Sequence, residues 1–238
     1  MSLFSYHLAN IPFFTGLKLF LFPNHLKAIE GIIHCERMTA MTLGTSIISP
    51  KRILLNRVAF FAQWENESSL ESFLTNHSFG KILAKGWHTR LELVRQWGSF
   101  HGIQTSNLTT KGETLGQDSV VVAITIARMK FFQIPRFIYW GKPVEKLVRD
   151  HPGQILALAS IRLPNTVSTF SIWKSVQQMT DMVKGFSHVP QPKRHIDAMK
   201  ERERKDFHYE FTTLRFKPLS ESGEWMGNRG FIFKRTQE

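Results

Sequence analysis

The 238-residue chain has a single cysteine and only 19 acidic residues against 31 lysines and arginines. Cys35 cannot form an intrachain disulfide and has no Cys or His partner at metal-site spacing, so it reads as a packed thiol. No apolar run is long enough to span a bilayer, which takes about 20 residues. The longest near the start, Phe13 to Phe22, is interrupted by Lys18. A secretory signal needs basic residues ahead of its apolar stretch, and Met1 to Pro12 holds no Lys or Arg. The expectation is therefore cytoplasmic residence, with a peripheral position on the inner face of a membrane as its variant. A glycine-rich phosphate loop, a dinucleotide fingerprint, a paired-histidine zinc helix and a nucleophile elbow are all missing, which sets aside phosphate chemistry and serine hydrolysis. The shortage of acid leaves a net charge of +12, which favours nucleic acid, a lipid headgroup surface or an acidic protein as partner, or simply keeps the chain in solution. The basic-Gly-aromatic signature of RNA recognition is absent, so nucleic acid is disfavoured and a membrane surface rises in rank.

What is present has the composition of a folded protein, with 42% hydrophobic and 21% charged residues, and its length suits two domains of about 100 to 120 residues. A repeat runs through it. Val58, Phe61 and Trp64 in VAFFAQW recur 109 positions later as Val167, Phe170 and Trp173 in VSTFSIW. Each copy reads as a strand followed by an amphipathic helix, carried by Leu70, Phe73 and Leu74 in one and by Met179, Met182 and Val183 in the other. Then come a His-containing segment (His77, His188) and a strand-like run, RLELV or YEFTTLRF.

The second copy parses as β-α-β-β-α-β. SVVVAITIA is a buried strand, a helix starts at Pro135, is made irregular in the middle by Gly141 and Pro143 and ends at His151-Pro152-Gly153, and QILALASIRL pairs with VSTFSIW as a hairpin across Pro164-Asn165. A helix over Lys193 to Lys205 precedes the last strand. In the first copy LKLFLF suggests the opening strand and NHLKAIEGI a short helix with Asn24 as N-cap. The fold class is α+β: two tandem ferredoxin-like units, 1–108 and 119–238, joined by a polar linker at 109–118, with the ligand pocket in the second. Both repeated tryptophans should be buried.

Among ten histidines, His195 opens the helix before the last strand and could face a sheet cavity. A neutral imidazole there can ligate haem iron, with Phe170, Trp173, Phe186 and Phe207 lining a flat apolar site; an ordinary packed histidine is the alternative. The run FSIW, a helix, RHIDAMKERERKDFHYEFTTLRF and SGEWMGN resembles the spheroidene monooxygenase family of carotenoid-ketolating proteins over about half the chain, and Leu43-Gly44-Thr45 before VAFFAQW resembles that family's Gly turn. The family is related to the antibiotic-biosynthesis-monooxygenase type of dimeric α/β barrel, which implies two ferredoxin-like units closing on each other. The resemblance puts the metal and cofactor ligand at His195, catalytic roles at Glu210 and Arg215, and a trailing motif at Gly223, Trp225 and Gly227. It also implies haem iron, O2, an external electron donor such as a ferredoxin, and an apolar carotenoid-like substrate. Phe207-His208 ahead of Glu210, and Ser46 where a second Gly is usual, depart from the pattern. Arg215 could pair with a haem propionate or form a salt bridge to Glu210 or Asp206. The competing readings are a non-catalytic haem or lipid carrier and a basic nucleic-acid module.

Overall fold

The computed structural model describes residues 3–23, 29–105 and 115–233. Eight strands and six α-helices follow in the order β1 (Leu3–Asn10), α1 (Phe13–Leu21), β2 (Ile32–Met41), β3 (Ile53–Trp64), α2 (Glu67–Asn76), α3 (Ser78–Ala84), β4 (Trp87–Ser99), β5 (Val121–Met129), α4 (Ile134–Asp150), β6 (Gln154–Arg162), β7 (Thr166–Trp173), α5 (Val176–Lys184), α6 (Arg194–Arg204) and β8 (His208–Ser222). All strand pairs are antiparallel and close into a barrel ordered β1-β3-β2-β6-β7-β5-β8-β4. The first four strands therefore stand as β4-β1-β3-β2 and the last four as β8-β5-β7-β6, the same order, with seams at β2–β6 and β4–β8. Closure leaves no open sheet edge.

Alternation along each strand sorts side chains into two layers. The barrel interior takes Phe4, Tyr6, Phe61, Trp87, Phe170 and Phe216, and Tyr6 stacks on Phe170 across it with centroids 3.9 Å apart. One mouth is stoppered by Trp225 and Ile232. Glu221 fixes this plug by accepting hydrogen bonds from the backbone N–H of Phe231, Ile232 and Phe233 and from the Trp87 indole. The outer faces carry the helices. The repeated tryptophans lie there, Trp64 and Trp173 both buried, each donating its indole N–H to a serine hydroxyl, Ser5 and Ser171. Two helix starts are also alike: Asn66 caps α2 by accepting from Ser69 N–H, and Ser175 caps α5 by accepting from Gln178 N–H.

The second half of the chain follows the expected order of elements, but α4 is one continuous helix through Gly141 and Pro143, where the sequence suggests an irregular middle. The beginning departs further. The opening strand is LFSYHLAN, and LKLFLF is helical in α1. That helix starts after Pro12 and lies so close to β3 that a Cβ at Gly16 would collide with the Leu55 carbonyl. Of the helix expected over NHLKAIEGI, Asn24 and the rest of 24–28 lie outside the described residues, while Glu30 and Gly31 form a turn and Ile32 opens β2, so no helix is found there among the described residues; linker residues 109–114 also lie outside. No helix among the described residues is long and apolar enough to cross a membrane.

Candidate functional site

The registers match the two outer faces position by position. In the first half Ser5 faces Ala62 and Arg90, and His7 faces Phe60 and His88. In the second Ala123 faces Ser171 and Arg215, and Thr125 faces Thr169 and Thr213. The layer between sheet and helices is therefore filled in one half by Phe60, His7 and His88, and floored in the other by three threonines. Phe60 and His7 are fully buried, and Phe60 stacks on Phe73 of α2. Thr169, on a strand with neighbours on both sides, is exposed, and Thr125 and Thr213 are half-buried. Small side chains have opened a cleft.

Two of the helices on this side bury little. Leu147 is the one buried residue of α4 and α6 has none, whereas α5 buries Val176, Met179 and Met182 much as its counterpart α2 buries Leu70, Phe73 and Leu74. Two apolar clusters close the ends. Trp173 packs with Leu147, Met179 and Met182 at one, and Phe207 packs with Ala127, Phe137, Trp140 and Phe211 at the other.

His195 sits on the α6 face that also carries Met199 and Arg202, by helical spacing. The Arg202 guanidinium lies 3.8 Å from the ring centroid of Phe211, on the sheet's outer face, so this face of α6 is turned to the floor. Three residues connect α6 to β8, so the helix runs back along the strand and His195 lies toward its Arg215 end. The His195 Nδ1 is buried with no partner at hydrogen-bond distance. Burial holds the ring below the ordinary imidazole value, and the nearby Val183 carbonyl partly opposes this.

Arg215 is a floor residue at the β4–β8 seam. It faces Arg95 across the seam, and both guanidiniums approach the Trp97 ring, at 5.1 and 4.5 Å. Its Nε is buried and unpartnered, and no carboxylate pairs with it among the described residues. Burial first, and then Arg95, lower its affinity for the proton. Arg90, at the matching position in the first half, is neutralised by Glu67 and Glu71 of α2.

Of the residues expected at the site, Arg215 lies on the threonine floor, His195 lies on α6 beside the Val183 carbonyl of α5, and Trp173 and Phe207 belong to two separate apolar clusters. The others lie elsewhere. Phe170 points into the barrel interior, since it follows Thr169 and strand neighbours face opposite sides. Phe186, beyond the α5 C-cap, is exposed. Glu210 projects on the barrel side of β8 and pairs with Arg128 at 3.3 Å. The four aromatics expected to line one cavity thus occupy four environments. Thr125, Thr169, Thr213, Arg95 and Trp97 were not foreseen. Their signal lay in the repeat itself, where VAFFAQW has Phe60 and VSTFSIW has Thr169. Among the described residues no three His, Cys, Asp or Glu side chains cluster to hold a metal.

No family model matches the sequence, and no curated protein matches it. Solved structures resemble it in outline. A candidate monooxygenase from Fusobacterium nucleatum aligns over 94% of both chains at 8% identity and a TM-score of 0.41. A ferredoxin-fold protein from Listeria monocytogenes related to antibiotic biosynthesis monooxygenases covers 92% of this chain and 97% of its own, at 12% identity and 0.30. A heme-degrading enzyme from the same species covers 90% and 99%, at 12% identity and 0.28.

Proposed function

We propose that the cleft between the threonine floor and α4–α6 holds haem, and that the protein is a haem-dependent monooxygenase acting on an apolar, carotenoid-like polyene. The carrying observation is the exchange of Phe60, His7 and His88 for Thr169, Thr125 and Thr213, which empties one of two otherwise matched layers. The residues at hand fit the group. An imidazole must be neutral to ligate iron, burial keeps His195 so, and its Nδ1 is unpartnered. Arg215, a cation without a carboxylate, suits a propionate. Bound haem supplies the oxygen chemistry, with O2 and electrons from an external donor such as a ferredoxin. The chain's own residues orient the ring system between Trp173 and Phe207 and keep its surroundings apolar. This reading also takes the chain as two tandem ferredoxin-like units, 1–108 and 119–238, the first a filled scaffold.

One observation favours a haem or lipid carrier as the second reading. Glu210 lies across the sheet from the cleft, and none of the floor positions carries a carboxylate. Purified protein supplied with haem should show a Soret band. His195→Ala should lose or strongly shift it, while His188→Ala, in the exposed connection after α5, should keep it. A normal band in His195→Ala removes the ligand assignment, and wild-type protein that never takes up haem removes the function. Reductant- and O2-dependent conversion of an acyclic carotenoid separates enzyme from carrier.

A further inference from the structure

We propose that α1 and the 44–51 loop form a docking surface for an anionic phospholipid bilayer. α1 touches the sheet by its narrow side: Gly16 is its one buried residue, set against the Leu55 carbonyl. Leu19 packs against the core and Leu17 and Phe20 are half-buried, while Phe14 (80%), Phe13 (53%) and the adjoining Phe22 (66%) are exposed. Phe13 and Lys51 line one groove together with Pro50, and Ile48, two residues before Pro50, is 93% exposed. Two segments that adjoin at this groove thus hold aromatic and β-branched side chains out in water.

Charge selects the occupant. Residues 11–23 and 42–57 contain no Asp or Glu. Arg52 is tied to Glu145 and Arg57 lies over the Trp225 ring, which leaves Lys18 and Lys51 exposed beside the patch. Lys18 is four residues after Phe14 and three before Leu21, inside the apolar stripe, where its methylenes can follow Phe14 into the acyl region while its ammonium reaches a headgroup phosphate. A helix lying flat with phenylalanines down and lysines at the headgroup level is the geometry of interfacial binding, and a net charge of +12 attracts an anionic leaflet from a distance. The exposed aromatics Phe131, Phe132, Tyr139 and Tyr209 lie on other segments, where Arg136 is tied to Glu201 and Arg128 to Glu210.

This inference is independent of the haem reading, since its test needs only lipid. Full-length protein is sedimented with phosphatidylcholine vesicles with and without phosphatidylglycerol. It should bind the anionic vesicles, and Phe14→Ser/Ile48→Ser should weaken that binding at least about tenfold. Both positions are exposed, so an unchanged melting temperature checks the fold. Lys18→Gln/Lys51→Gln should weaken binding to anionic vesicles, and Phe132→Ser/Tyr139→Ser should leave it intact. Three results would overturn the proposal: no binding of wild-type protein to anionic vesicles, equal binding by Phe14→Ser/Ile48→Ser, or loss of binding in Phe132→Ser/Tyr139→Ser. A lipid-indifferent protein whose self-association disappears in Phe14→Ser/Ile48→Ser would instead make the patch an interface between copies.

Discussion

The two outer faces of the barrel share strand order, register and the Val-x-x-Phe-x-x-Trp pattern, yet one is a solid layer and the other an open one. Three substitutions in matched positions account for the difference, and none of them disturbs a backbone hydrogen bond. Binding capacity in such a pair comes from what the core gives up. A phenylalanine ring and two imidazoles stabilise the first half, and their absence in the second leaves room for something that is not protein. The matched arginines repeat the lesson, because Arg90 meets the glutamates of α2 while α5 offers no acidic residue in its first turn.

Exchanging the layers tests this most severely. Phe60→Thr should destabilise the fold by about 3 to 5 kcal/mol, the range for truncating a packed phenylalanine, as measured by urea unfolding. A loss below about 1 kcal/mol would mean the first layer is not tightly packed. The reverse change, Thr169→Phe, should keep stability within about 1 kcal/mol because the ring enters open space. It should weaken haem uptake at least about tenfold. Normal uptake would put the ligand elsewhere.

The histidine filling has a pH signature. Burial, then His88 and Arg90, hold His7 well below the ordinary imidazole value, and burial lowers His88 as well. The unfolded chain takes up these protons near the ordinary value of about 6.5 and the folded chain only at lower pH. Stability is therefore full above about pH 6.5 and falls as pH drops below it, by about 1.4 kcal/mol per pH unit for each proton bound on unfolding. His7→Gln should flatten that slope; an unchanged slope would assign the acid sensitivity to other histidines. The smallest effect belongs to the arginines. Arg90→Ala should cost no more than about 1 kcal/mol, as for a surface ion pair. Arg215→Ala should leave stability equal or higher, because it removes a buried cation beside Arg95, and should lower haem uptake. A clear loss of stability in Arg215→Ala would mean that its stacking on Trp97 outweighs that repulsion.

Most of the architecture was legible because β-branched runs such as SVVVAITIA and the tryptophan-ended strands carry strong local signals. The opening was not. In LFSYHLAN the residues facing the helices are Ser5, His7 and Ala9, buried but polar or small, so the strand lacks a hydrophobic signature on that side. LKLFLF is apolar enough to read as strand, and its helix depends on Pro12 and on Gly16 fitting against Leu55, which a single segment does not reveal. For the site, His195 and Arg215 could be picked out one at a time. The floor to which Arg215 belongs, and the separation of Phe170 from Thr169 by one strand position, required the registers.

The plug held by Glu221 has a bearing on the shape of any substrate. Because Trp225 and Ile232 seal one mouth of the barrel, a polyene cannot thread through the cylinder. Under the proposed function it would lie against the outside of the sheet, between the Trp173 and Phe207 clusters. A site bounded at both ends would measure the stretch that it holds, so under that reading homologous polyenes of different size should be handled unequally.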